Sequence, residues 1–413
     1  MVLNLSAVRS RFSRFLPLLL LLISPLLAAG CTEGGEGREP LREHLESGGT
    51  RLTHTEIDLQ FLTFDLVAEW DIWSTEAPYL FSDVTDVVGG DDTFFLLDGG
   101  NHEVVEFTAD GALRNTFGRE GSGPGEFRYP LQMTIHGGRL WISDVGNVRF
   151  SVYTIDGSSQ DDVRWPGGSR LVNSFAITPR GGILHGGIWP LTVAELAEQD
   201  PMYYLAEFAG EGLWEEGSSV HVDTLAVMRA EPWSGFVIRS EEGGERGWFE
   251  SPVFSPQFYW SASNDLIVTV TSADYRFEVR DMQGTILLEI VCPTPDLRVT
   301  EAHRRWYFDS FAREAIPGLE PFTLTSDSKA RFVFARELQA IAGISIDGAG
   351  NIYVLANSPV PGTTRLDLFS AEGIYRGSVS DAGLPEACIG DGTILLKSTD
   401  SAGLDRFRTG IIR

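Results

Sequence analysis

The chain has 413 residues, 43% apolar and 22% charged by type, with 58 acidic against 32 basic side chains and a net charge of −26. Acidity on that scale repels a phosphate backbone, which excludes nucleic acid as a partner. It marks a soluble, self-repelling surface and names no substrate.

Residues 1–30 hold Arg9, Arg11 and Arg14, no acidic residue, and an apolar run from Phe15 to Leu27. They close on Leu27-Ala-Ala-Gly30, followed by Cys31. A basic start, a short apolar stretch and small residues at a cut site are the parts of a secretory signal. Pro17, Ser24 and Pro25 interrupt the run, which is too short for a comfortable spanning helix. A cysteine straight after the small residues resembles a lipoprotein lipobox. The resemblance implies cleavage before Cys31 and a diacylglycerol thioether plus an N-acyl group on it, enough buried chains for stable membrane anchoring. Thr32, not Asp, follows Cys31; by resemblance to Gram-negative sorting rules, that favours the outer membrane. Cleavage would leave 383 residues and a net charge of −29, because three arginines depart with the leader.

Residues 32–49 are rich in Gly and Glu with little to bury, so 31–54 reads as the lipidated cysteine and a flexible tether. The remainder, 55–413, is long for one ordinary core, a limit that repeat architectures escape because each unit buries its own layer. Beyond Cys31 the only cysteines are Cys292 and Cys388, so the chain is not a disulfide scaffold.

One signature recurs along the chain, an apolar or aromatic strand end and then a tight turn closing on Gly. It appears as Phe107-Thr-Ala-Asp-Gly111, Tyr153-Thr-Ile-Asp-Gly157, Phe208-Ala-Gly-Glu-Gly212, Arg280-Asp-Met-Gln-Gly284 and Phe369-Ser-Ala-Glu-Gly373. Gly supplies the positive φ such a turn requires. The first two copies lie 46 residues apart, as do Asp98-x-x-Asn101 and Asp144-x-x-Asn147. That period suits one four-stranded propeller blade.

The strands read as short β-branched and aromatic runs. The first unit is Val84–Val88, Thr93–Leu97, Glu103–Phe107 and Leu113–Phe117. The second is Leu131–His136, Arg139–Ser143, Arg149–Thr154 and Asp161–Arg164. Similar quartets fall within 173–227, 257–290 and 342–379. The last unit offers only Ala387–Gly390, Thr393–Ser398 and Leu404–Ile412. Glu56–Phe64 is an unattached strand ahead of the first blade, and placing it in the last blade closes the ring without an open edge. The fold class is therefore all-β, a six-bladed β-propeller of four-stranded blades. Residues 228–253 read as a Gly-, Glu- and Trp-containing loop. Residues 299–316 read as one inserted helix, capped by Thr300, with Tyr307, Phe311 and Ala315 on one face and Pro317-Gly318 as its stop. Such a helix either packs over one face of the ring or serves as a lid or partner-binding element. Cys292 and Cys388 fall on blades that are not neighbours, which predicts two free thiols.

Gly121-Ser-Gly-Pro-Gly-Glu-Phe127, Pro130 and Leu140-Trp-Ile-Ser-Asp144-Val-Gly-Asn147-Val-Arg-Phe150 together resemble an NHL-type propeller repeat. Ser272–Gly284 and Ile344–Leu355 look like diverged copies. Residues 81–413 are similar to the six-bladed β-propeller lipoproteins of Gram-negative envelopes. The resemblance implies a fold and leaves function to be argued from a site.

The motifs of common chemistries are missing from the sequence. The Gly-rich stretch 118–125 has no Gly-Lys-Ser/Thr and precedes a strand, so it connects blades and does not cradle phosphate. Asp98/Asn101 and Asp144/Asn147 stand between strands, as Asx-turn residues do. No metalloprotease, Cys-x-x-Cys, calcium-loop or nucleophile-elbow pattern occurs. His102, His136 and His185 could form a three-histidine metal site only from inner strands, where His136 alone is expected. The inner-strand polar residues Asp86, Gln132, Asn173, Gln257 and Glu386 are a mixed set that nominates no catalytic group. The reading is an envelope-anchored monomer with no cofactor, no metal and no catalytic residue. It binds or scaffolds an undetermined protein, peptide or small molecule, with Cys31 as its lipid attachment site. The alternative is a channel-centred hydrolase, lactonase or lyase with a divalent metal.

Overall fold

The computed structural model describes residues 39–413 apart from 58–60, 72–78, 161, 166–174, 190–201, 210–220, 242, 264, 314–322, 381 and 400–404. An N-terminal hairpin, Leu41–His44 (β1) and Thr50–Thr53 (β2), precedes Phe64–Asp71 (β3). Blade 1 is Val84–Gly89 (β4), Thr93–Asp98 (β5), Glu103–Thr108 (β6) and Leu113–Phe117 (β7). Blade 2 is Pro130–His136 (β8), Arg139–Asp144 (β9), Arg149–Thr154 (β10) and Val163–Arg164 (β11). Blade 3 is Phe175–Ile177 (β12), Ile183–Trp189 (β13), Met202–Ala209 (β14) and His221–Arg229 (β15). A separate hairpin follows, Ser234–Arg239 (β16) and Glu245–Glu250 (β17). Blade 4 is Phe258–Ser263 (β18), Leu266–Thr271 (β19), Arg276–Asp281 (β20) and Ile286–Val291 (β21). Two helices come next, Glu301–Arg313 (α1) and Ser326–Lys329 (α2). Blade 5 is Ile341–Ile346 (β22), Ile352–Asn357 (β23), Thr364–Phe369 (β24) and Tyr375–Ser380 (β25). Blade 6 is Ala387–Cys388 (β26), Ile394–Thr399 (β27) and Asp405–Ile412 (β28), completed by β3.

The molecule is thus a six-bladed propeller of four-stranded sheets. Each blade runs from its inner strand outward, and inner strands of neighbouring blades touch, β4 on β8 and on β26, β8 on β12, β18 on β22. Because the strands alternate in direction, every connection from an outer strand to the next inner strand emerges on one face of the ring. The turn between a blade's second and third strands shares that face.

The ring closes with β3 antiparallel to β28, from Phe64↔Ile412 to Asp71↔Arg406. The sequence places closure on an N-terminal strand, but over Glu56–Phe64. The pairing segment begins where the expected one ends, and a bulge at Val67 breaks its alternation, so Leu66 is left exposed while Trp70 turns inside. Trp70 stacks on Phe107 at 5.5 Å and packs against Phe407 at 6.1 Å, so one indole seals blade 6 to blade 1.

The recurring glycine has two physical reasons. Gly111, Gly157, Gly284 and Gly373 all have positive φ, from 77° to 88°. A Cβ on Gly111 or Gly157 would also stand 2.9 Å from Trp70 or 2.7 Å from Phe117, on the outer strand of the preceding blade. The signature is therefore a blade-to-blade contact as well as a turn. Gly212 lies outside the described residues.

Two stretches depart from expectation. Within the tether expected over 31–54, β1 and β2 pair, and β2 adds in parallel to β21, making blade 4 six-stranded. Leu52 is fully buried there, Arg51 bridges to Glu289, and His54 Nε2 lies 3.0 Å from the Gly373 carbonyl oxygen on blade 5. The loop expected over 228–253 contains the β16–β17 hairpin, whose Phe236 and Trp248 pack on Phe332. The inserted helix is present as α1, two residues shorter at its start than expected. Its Thr300 N–H donates to His303 Nδ1 at 3.1 Å, so the third helical residue reaches back to the cap, as in a capping box. Phe311, Ala315, Pro317 and Gly318 have no described side-chain placement.

Candidate functional site

The sequence-predicted site residues are dispersed, and most have structural work. Asp86 sits on inner strand β4 and accepts the Met133 N–H of β8 at 2.7 Å, clipping blade 1 to blade 2. Gln132, on β8, is half-buried, and its Oε1 has no hydrogen-bond partner among the described residues. Glu386 is exposed just before β26, and Asn173 lies outside the described residues. His102 occupies the turn between β5 and β6, His136 the far end of β8, and His185 the second strand of blade 3. The structure does not bring these histidines together. His185 is enclosed by Trp165, Tyr204 and Phe208 at 5.8–6.2 Å between ring centroids. Burial pushes the His136 imidazole below its ordinary pKa. Among the described residues no group of three or more His, Cys, Asp or Glu side chains is arranged to hold a metal ion.

Asp98 and Asp144 act as the Asx reading anticipated, and do more. Asp98 accepts the N–H groups of Gly100 and Asn101 in its own turn, and those of Ser82 and Asp83 on the segment entering blade 1. Asp144 repeats this with Asn147, Arg128 and Tyr129. Each carboxylate ties a blade's second strand to its own entry loop, which explains the 46-residue spacing.

A polar rim emerges where the inner strands of blades 4 and 5 begin, on the connecting face. Tyr203 donates to Gln257 Oε1 at 2.6 Å, and Gln257 N–H donates to Ser272 Oγ at 2.7 Å. Ser272 Oγ donates to Gln339 Oε1 at 3.1 Å, and Gln339 Nε2 donates to Tyr259 Oη at 3.2 Å. Asn357 Nδ2 reaches the Gln339 carbonyl at 2.8 Å. The chain of bonds spans three blades and carries no formal charge. Desolvation raises the Tyr203 pKa, so its phenol remains a donor throughout the physiological range. Gln257 was legible as an inner-strand polar residue. Tyr203, on a third strand, and Gln339, in an inter-blade connection, carry no sequence signal for the rim, since only the topology assembles it.

The two connections beside this rim are the longest described ones, and they build a cap. Helix α1 packs through Tyr307 against Phe254, Phe332 and Phe334 at 5.6–6.0 Å. The Tyr307 hydroxyl donates to Glu250 at the end of β17, 3.1 Å away. Trp306 fills the space over Gly362 in a turn of blade 5. The helix therefore joins one insertion to the other and rests on the ring.

No family model matches this chain, and no curated protein matches it. Among solved structures it is similar to a protein of Bacteroides fragilis described as exported, at 11% identity and a TM-score of 0.46, covering 87% of this chain and 99% of that one. It is also similar to a DUF4221 family member from Bacteroides vulgatus, at 10% identity and a TM-score of 0.41, covering 87% and 98%. A streptogramin B lyase matches at 9% identity and a TM-score of 0.39, covering 84% and 97%. Likenesses at these identities and TM-scores say nothing of activity. No described helix is long and apolar enough to cross a membrane.

Proposed function

We propose that this chain is an envelope-anchored lipoprotein, with NHL-type repeats and lipid on Cys31, that works as a binding module. Its ligand, a protein, peptide or small molecule, docks at the capped mouth of the ring. The observation that carries the reading is the uncharged rim of Tyr203, Gln257, Ser272, Gln339 and Tyr259 beneath a dedicated cap. Amide and phenol groups of this kind fix the orientation of a polar ligand without driving chemistry on it. The 46-residue aspartate geometry supports the repeat assignment, and the leader ending at Gly30 supports export and anchoring. The hydrolase or lyase alternative draws less support, because Asp86 is bonded to a neighbouring blade and Glu386 stands in solvent before its strand.

A thermal-shift screen of peptides, glycans and small metabolites should identify a ligand that raises the melting temperature of the parent. The shift should vanish in Tyr259→Ala and Gln339→Ala. A ligand whose shift survives both changes would place binding elsewhere. Anchoring is read separately: Cys31→Ser should abolish incorporation of labelled palmitate and release the protein from the membrane fraction.

A further inference from the structure

Carboxylates outnumber cations 58 to 32 in this chain, and the β16–β17 hairpin of the cap shares that excess, but α1 and the stretch around α2 reverse it. Residues 301–313 and 323–336 hold six cations, Arg304, Arg305, Arg313, Lys329, Arg331 and Arg336, against the three carboxylates Glu301, Asp309 and Asp327. Arg304, Arg305, Lys329 and Arg331 are exposed, and none of the four has an ion-pair partner among the described residues. The Arg304 guanidinium lies 5.2 Å over the Phe334 ring and the Lys329 ammonium 5.7 Å over the Phe308 ring. Those two rings are 5.7 Å apart, so both cations are held over one aromatic cluster. Val333, between Phe332 and Phe334, is 59% exposed. Like charges gathered without ion-pair partners repel one another, and an anionic surface relieves that repulsion.

The path of the chain supplies a second observation. Leu41 pairs with Thr53, and Thr53 is level with Val291, the residue at which the chain leaves blade 4 for the cap. The residues before Leu41 therefore depart from the same end of that sheet. Nine residues separate Cys31 from Leu41, ten steps of the chain that span at most about 35 Å when extended.

We infer that the cap lies against an anionic bilayer surface, with Arg304, Arg305, Lys329 and Arg331 on lipid phosphates and Val333 at the interface. The inference rests on the lipid-anchor reading for what brings the surface near; the cap's preference for anionic lipid stands apart from it. Arginine's planar fork suits phosphate, and basic residues at such a surface each strengthen partition about five-fold.

Residues 32–413 hold every described element and lack Cys31, so their binding reports the cap and not the anchor. They are floated with extruded vesicles of phosphatidylcholine alone or with one-third phosphatidylglycerol. Flotation is expected with the anionic vesicles only, and should weaken at least ten-fold in a variant carrying Arg304→Gln, Arg305→Gln, Lys329→Gln and Arg331→Gln. Arg139→Gln with Arg376→Gln, exposed cations on other blades, should leave it unchanged, and circular dichroism checks that each variant is folded. Absence of flotation with anionic vesicles, or equal flotation of the four-fold variant, overturns the inference, even if the cap then captures an acidic protein. An N-terminal peptide without lipid by mass spectrometry would instead sink the anchor reading and leave a positive flotation standing.

Discussion

Val148 is a β-branched residue at φ +52°, where such side chains are rarely found. Asp144 and Asn147 hold the turn around it, and the side chain is 45% exposed, so replacement forfeits little packing. Val148→Asn should stabilise the fold by about 1 kcal/mol, since Asn tolerates the left-handed region. A denaturation midpoint at or below that of the parent would show the turn to be unstrained. Asp144→Ala strips the acceptor from three backbone N–H groups and should cost about 3–5 kcal/mol, read in the same titration. His54 gives a pH dependence. Burial lowers its pKa against the opposing pull of the Gly373 carbonyl. The unfolded chain then binds the proton more readily, so stability is complete above the ordinary histidine value of about 6.5 and is lost as pH falls below it. His136 and His303 are shifted the same way by burial, so the informative comparison is between proteins. Between pH 7.5 and 5.5 the parent should lose more stability than His54→Gln, and equal losses would remove His54 from the account.

Among elements, the N-terminal hairpin was the least legible. Its only fully buried side chain is Leu52, and the other leucines, Leu41 and Leu45, fall at no strand period with it, so no alternation announced a strand. Leu52 fills a socket over Ile290 and Gly373 that only the assembled blades create. Leu52→Ala should cost about 2–5 kcal/mol by equilibrium unfolding, whereas a free tether would register no change. Blades 1 and 2 were readable nearly to the residue, because Gly turns and paired aspartates punctuate them. The β16–β17 hairpin was missed although Glu241-Glu-Gly-Gly244 is a turn signal, since its strands bury residues against the cap and not against a blade. The closing strand was expected in kind and displaced in register. Glu69→Cys with Arg408→Cys, opposite one another across β3 and β28, should form a disulfide on mild oxidation. Glu56→Cys in place of the Glu69 change should not crosslink to position 408, and the reverse outcome would restore closure over Glu56–Phe64.

At the scale of the whole molecule, Cys292 and Cys388 remain free on blades 4 and 6. Burial pushes the Cys388 thiol up to about 12 and raises that of Cys292 as well. Both should resist a thiol reagent at pH 8 in the native protein and react fully in denaturant; rapid native labelling would contradict the packing. The candidate rim was only partly legible because its members are far apart in sequence, from Tyr203 to Asn357, and converge through ring closure alone. The ring also fixes how the molecule meets mechanical load. A pull on the residues before Leu41 acts first on β1, whose bonds to β2 would open singly, from Leu41↔Thr53 onward. The force then reaches β2, held to β21 by Arg51 with Glu289 and by Leu52. The hairpin is thus a sacrificial fuse: single-molecule extension from the N-terminus should show a short event of fewer than about 25 residues before any blade yields.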